Sequence, residues 1–241
     1  KGGVKAHVLY DIEAQVPAFY TVTTASKHDS TAMSSIHYEP NAYYIFDRAY
    51  DSFKELYRIH LTDSFFVVRA KTNLKYKTVK WKRRMPKNIM TDAEVKLTGY
   101  LSEKKYPESF RLVRYYDEED DREFTLLTNA KQLSALDVAN LYKKRWLIEL
   151  FFKWLKQHLK IKKFRGTTEN AVRIQISVAI ITYCLVAIVQ PDMKLKRSTY
   201  EVLQILSISL TDKTHLRDLF DKTNFNDVKD LNDPLIPGLF D

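Results

Sequence analysis

The chain has one cysteine, Cys184, in 241 residues, which excludes a disulfide framework and a cysteine-built zinc site and fits a reducing, cytoplasmic setting. Its five glycines form no Gly-rich phosphate loop, its six histidines show no ligand spacing, and no HExxH string or Ser/His/Asp arrangement occurs. The most apolar run, residues 174–189, carries Gln175, Ser177 and Thr182 and falls short of the ~20 residues a membrane span needs. We read it as a buried helix, with a membrane helix as the alternative. No secretory signal opens the chain. It begins at Lys1, without methionine and directly in strand-like sequence, so a piece of a longer protein is expected. Acidic residues are missing from two stretches: there is none between Ser64 and Thr91, and only Glu149 between Tyr142 and Arg165.

What is present is a hydrophobic content of 45% and a net charge of +9, with a pI near 9.3. Such a chain can bury a substantial core and favours an anionic partner, of which nucleic acid is the usual one. The positive charge is concentrated. Residues 142–165 hold nine lysines and arginines around Glu149. Wound as one helix at about 100° per residue, they bring Tyr142, Arg145, Glu149, Lys153, Lys156, Lys160 and Lys163 onto one face. Trp146, Leu147, Leu150, Phe151 and Trp154 form the apolar stripe, which places both tryptophans in the core. Such a row of cations holds a polyanion by its phosphates. A carboxylate within the row repels that polyanion unless a divalent cation stands between them.

Alternation predicts a hairpin over 7–13 and 17–24, followed by a short helix after Asp29. A strand over 43–46 ends at Asp47, a helix runs over 52–61, and a strand covers 64–70. This is a mixed α/β order with an antiparallel beginning. The acid-free stretch around Tyr76 and Trp81 is a second cationic surface with interleaved aromatics, and Trp81 is either a base-stacking residue or a core residue. Strands at 110–116 and 123–129 flank an acidic turn, and Ser134 with Asp137 marks a helix start leading into the Glu149 helix. The expected division is 1–70 as the first part of a core, 71–127 as a β-rich insertion, 128–220 as the second part of the core, and 221–241 as a tail.

Tyr142-x2-Arg145-x3-Glu149-x6-Lys156 resembles the YREK signature of bacterial insertion-sequence transposases of the IS-four type, a branch of the DDE transposases. YIFDRAY at 44–50, KGGVKAH at 1–7, SKHDS at 26–30, FFVVRAK and FTLLTN resemble the same family in the same order. The resemblance implies an RNase H-like fold, a mixed sheet flanked by helices with a β-rich insertion that grips transposon ends. It further implies a site in which three carboxylates hold two magnesium ions, Asp47 being the second and Glu149 the third, with Tyr142, Arg145 and Lys156 on DNA phosphates. The implied reaction is cleavage at a transposon end and attack of the freed 3′-hydroxyl on another phosphodiester. Implied partners are the terminal inverted repeats, target DNA and a second subunit in a homodimer, in a cytoplasmic, nucleoid-associated protein with no membrane. The first catalytic aspartate is expected upstream of Lys1, so this piece is expected to be inactive alone. A noncatalytic DNA-binding remnant is the alternative. Local chemistry offers competing roles as well: Asp47 can cap the turn after its strand, Glu149 can pair with Arg145 and Lys153, and His28 reads as a local cap.

Overall fold

In a computed structural model, the structure describes residues 3–82, 84–158, 164–166 and 168–192, with isolated positions at 201, 202, 205, 206, 215, 218 and 220. Lys160, Lys163 and the tail lie outside the described residues, as does most of residues 198–210, where the sequence suggests a further helix. The chain falls into two compact units, 1–7 with 21–147 and 8–20 with 148–241.

The alternating segments near the start form a two-stranded sheet of β1 (Val4–Asp11) and β2 (Val16–Thr24). In the first unit, His7 shares hydrogen bonds with the Tyr50 hydroxyl (3.1 Å) and Thr23 Oγ1 (2.9 Å). Burial lowers the pKa of the His7 ring, although Asp29 pulls it the other way. His28 caps the 3₁₀ turn Asp29–Ser35 by accepting from the Ser30 amide, and Asp29 pairs with Lys5 at 2.9 Å. The cap reading of His28 therefore holds.

A six-stranded mixed sheet dominates this unit. Its strands are β3 (Tyr43–Phe46), β4 (Phe65–Arg69), β5 (Tyr76–Trp81), β6 (Ile89–Leu97), β7 (Phe110–Asp117) and β8 (Arg122–Thr128). The spatial order is β3-β4-β8-β7-β6-β5. Only β3 and β4 are parallel, joined through helix α1 (Phe53–Leu61), whose Leu56 and Ile59 are buried. The strands of residues 71–127 thus continue the sheet of β3 and β4, with β8 hydrogen-bonded to β4. Bulges interrupt the register at Val79 in β5 and Met90 in β6, a device that sharpens the local twist of an edge ribbon.

Sequence reading left two helices unresolved or wrong. α2 (Tyr100–Lys105) follows β6 without having been anticipated. The long basic helix is two helices, α3 (Ala135–Lys143) and α4 (Trp146–His158), separated by a turn at Lys144–Arg145. There the amides of Arg145 and Leu147 bond to the carbonyls of Tyr142 and Lys144, i→i+3 contacts that overtighten the backbone. The physical reason is that the two helices serve different cores. α3 buries Val138, Ala139 and Tyr142 among Val67, Val113, Tyr115, Phe124 and Leu126 of the first unit.

In the second unit, α4 buries Phe151, Trp154 and Leu155, spaced i, i+3, i+4. Trp146 is 56% exposed, and Leu150 is exposed too, which corrects their expected place in the core, while Trp154 lies there as expected. Phe151 and Trp154 meet Tyr183 of α5 (Glu169–Asp192) with ring centroids 4.8 and 5.1 Å apart. Tyr10, from the hairpin tip, joins them, its hydroxyl 2.9 Å from that of Tyr183. Burial first, and then the facing hydroxyl, raises the pKa of Tyr10. Only one side of α5 is covered: Val172, Ile176, Ile180 and Tyr183 are buried, whereas Ile174, Val178, Ile181 and Leu185 are exposed. Among the described residues, 169–188 of α5 are long and apolar enough to cross a membrane, a property that core helices share.

Candidate functional site

The parallel pairing of β3 with β4 sets Phe46 opposite Val68, so Asp47, just past β3, and the segment that follows Arg69, the last residue of β4, lie at the same carboxyl edge. In open sheets, crevices outside the carboxyl ends of parallel strands are where ligands bind. A cavity of about 550 Å³ lies there, lined by Asp47, Arg48, Ala49, Lys71, Thr72 and Asn73.

Asp47 Oδ1 accepts the Arg48 amide at 2.7 Å, capping the 3₁₀ turn Arg48–Tyr50. The same oxygen accepts the hydroxyl of Tyr142 at 3.3 Å, across 95 positions of sequence. Tyr142 is buried against Phe124 at the last turn of α3. Its pKa is raised, by burial foremost and then by the Asp47 carboxylate, with Arg145 and Arg69 opposing, so the phenol stays protonated and donates. The Arg145 guanidinium lies over the Tyr142 ring, 5.6 Å from its centroid. Within the first unit, then, Asp47, Tyr142 and Arg145 come together. The cap and the Tyr142 bond coexist on one carboxylate oxygen. Oδ2 takes part in neither.

Glu149 and Lys156 belong to α4 in the second unit, seven positions apart and thus two turns along one face. Glu149 is half-buried, and Lys153 and Lys156 are exposed. Among the described residues, no three His, Cys, Asp or Glu side chains gather as a metal site. The Asp47 carboxylate, whose Oδ2 takes part in neither the cap nor the Tyr142 bond, is the kind of hard oxygen donor that magnesium takes. Trp81 is 61% exposed on β5, which removes its core alternative.

The model of the transposase DDE domain family matches residues 1–185. This chain belongs to the DDE transposase family. A protein of Sinorhizobium fredii (strain NBRC 101917 / NGR234), y4zB, named as a transposase, is 35% identical over 222 residues, covering 90% of this chain and 61% of the relative. A protein of Geobacillus stearothermophilus, named as a transposase for insertion sequence element IS5377, is 32% identical over 188 residues, or 77% of this chain and 49% of the relative. A third, from Synechocystis sp. (strain ATCC 27184 / PCC 6803 / Kazusa) and named for element IS4SA, is 34% identical over 101 residues, 39% of this chain and 30% of the relative. The chain therefore spans about half to three-fifths of the length of the two relatives that it matches over most of its own length.

Two features of the site escaped sequence reading. One is the Tyr142–Asp47 bond, a contact between distant segments that no local pattern reports. The other is Lys71, which lines the cavity with Asp47 and stands 3.8 Å from the carboxylate of Asp51.

Proposed function

We propose that this chain is the catalytic portion of an insertion-sequence transposase of the IS-four type, with an RNase H-like fold, cutting DNA at transposon ends and transferring the freed strand. The observation that carries the reading is the hydrogen bond from Tyr142 to Asp47, which joins the tyrosine of the YREK signature to the aspartate of the YIFDRAY segment inside one unit.

Asp47 and Glu149 would hold the two magnesium ions together with a third carboxylate. The chemistry these ions supply when bound is activation of a water or a 3′-hydroxyl and neutralisation of the leaving oxygen. Tyr142 holds Asp47 in place, because a buried phenol donating to a carboxylate fixes that carboxylate's rotamer. That positioning comes in addition to, or in place of, the phosphate contact the signature implies for it. Arg145 offers a fork of donors to a phosphate, and Lys156 a point charge. The partners are duplex DNA at terminal repeats and target sites and a second subunit, in the cytoplasm at the nucleoid.

The test uses the full-length transposase with magnesium and a terminal-repeat duplex. Glu149→Gln and Asp47→Asn are each expected to abolish strand cleavage while DNA binding persists. Unchanged cleavage in both variants would overturn the assignment. DNA binding with no cleavage in the wild-type protein would mark it as a noncatalytic remnant.

A further inference from the structure

Lys71 lies at the junction of two cavities. The one beside Asp47 adjoins a second of about 230 Å³, lined in part by Arg48, Arg69, Lys71, Thr72, Tyr76 and Glu123. Arg48, Lys71 and Thr72 line both, so the two form one groove. It begins at Asp47, on the carboxyl edge of β3, and ends at Tyr76, the first residue of β5.

The groove is cationic. Among the residues lining it, Arg48, Arg69 and Lys71 stand with Asp47 and Glu123, and Glu123 accepts from Arg114 Nε at 3.1 Å, which offsets its charge. The Arg69 guanidinium is flattened over Phe124, 4.9 Å from the ring centroid. At the far end, Tyr76, Lys77, Lys80 and Trp81 are all exposed along β5, an edge strand with five of its six residues open to solvent. Cations that track a backbone, followed by exposed aromatic rings, are the elements of a single-strand binding surface.

Behind Lys71 sits Asp51. Its side chain is 5% exposed, its Oδ1 is buried with no hydrogen-bond partner, and its Oδ2 is 3.8 Å from Lys71 Nζ. That separation exceeds a hydrogen bond, so the carboxylate holds the ammonium in place by charge without occupying its donors. A buried carboxylate left so poorly satisfied costs stability, and its placement makes sense if it aims a cation.

We propose that this groove is the path of one nucleic-acid strand leaving Asp47 toward β5, that Lys71 is its central phosphate contact, and that Asp51 is the positioning residue for Lys71. The inference rests on the DNA reading above and adds the route of the strand and the two residues that set it.

The experiment measures binding of the 241-residue chain to single-stranded and duplex oligonucleotides by fluorescence anisotropy across a salt series. Lys71→Ala is expected to reduce the log–log salt slope by about 0.7 on single strands and about 0.9 on duplex, equivalent to roughly five- and eight-fold weaker binding at 0.1 M salt. Lys71→Arg should restore most of the slope. Asp51→Asn should weaken binding less than Lys71→Ala, and the double variant should bind no more weakly than Lys71→Ala alone, because Asp51 acts only through Lys71. An Asp51 effect that adds in full to the Lys71 effect overturns the positioning role. A DNA-binding chain whose slope is unmoved by Lys71→Ala overturns the path. A chain that binds neither oligonucleotide even at low salt also overturns the path, whereas the catalytic reading stands or falls on the cleavage test of the full-length protein.

Discussion

Asp51 and Asp92 have side chains equally withdrawn from water, 5% exposed in each case, and the first unit treats them in opposite ways. Asp92 on β6 receives a two-pronged guanidinium, Arg111 Nε at 2.6 Å and Nη2 at 2.7 Å, with Lys82 at 3.2 Å. Arg111 spends another donor on the Leu133 carbonyl at 2.5 Å, tying β7 to the segment before α3. Asp51, behind the groove-lining Lys71, has one lysine beyond bonding distance and an oxygen with nothing to accept from. One carboxylate is built into the fold. The other is held ready beside a site, at a cost to the fold.

The sharpest way to break this comparison is to remove both carboxylates in turn and measure unfolding by denaturant. Asp92→Ala leaves Arg111 buried without its counter-charge, and a loss of about 3–5 kcal/mol is expected. Replacing both partners, as Asp92→Leu with Arg111→Met, should recover most of that loss, since the ion pair fixes geometry more than it adds net energy. Asp51→Asn should do the reverse of Asp92→Ala and stabilise the chain by about 1 kcal/mol, by discharging an unsatisfied buried group. If Asp51→Asn proved as damaging as Asp92→Ala, the two carboxylates would be alike and the comparison would fail.

The two also separate by pH. Burial raises the Asp92 pKa, but Arg111 and then Lys82 outweigh it and leave the net value below the usual 3.8. Its contribution is therefore present above 3.8 and disappears as the pH falls through the lower folded value. Burial raises the Asp51 pKa as well, and Lys71 only partly counters it, so the net value lies above 3.8. The sign is then reversed: whatever Asp51 contributes is complete below 3.8 and is lost as the pH rises through the folded value. The stability gain of Asp51→Asn over the wild type should accordingly grow from acid toward neutral pH, as read from melting curves at several pH values. A gain that is flat with pH would mean that Asp51 is not the titrating group. Together with the weaker DNA binding expected of the same variant, this would be a trade of stability against function at one residue.

What was legible in the sequence follows the range of the interactions involved. The hairpin, β3 ending at Asp47, α1, β4, and the β7–β8 pair across its acidic turn were all visible, because alternation and local breakers encode them. The turn between α3 and α4 was not, because YKKRWLIELF contains no proline or glycine and every residue in it tolerates a helix. The turn is imposed by two cores that claim the two helices, and the exposure of Trp146 follows from the same cause. At the site, the family resemblance pointed to Asp47 and to Tyr142, but not to the bond between them. Nor did it point to the pairing of Asp51 with Lys71, whose meaning lies in burial and in the length of a contact rather than in either residue's neighbours.

A smaller effect tests that distinction at α3, whose start was read correctly and whose end was not. At the start, Ser134 Oγ accepts the Asp137 amide at 3.0 Å, and Asp137 accepts the Ser134 amide at 3.1 Å, a capping box closed within four residues. At the end, Tyr142 is buried and bonded to Asp47. Ser134→Ala is expected to cost about 1 kcal/mol, the ordinary worth of an N-cap, with no change in the salt dependence of DNA binding. Tertiary contacts hold the far end of the helix in place, so the groove beside Asp47 should not register the loss. A change in salt slope from Ser134→Ala would show that α3 moves as a rigid lever on Asp47, and that its two ends, one local and one long-range, are mechanically a single feature.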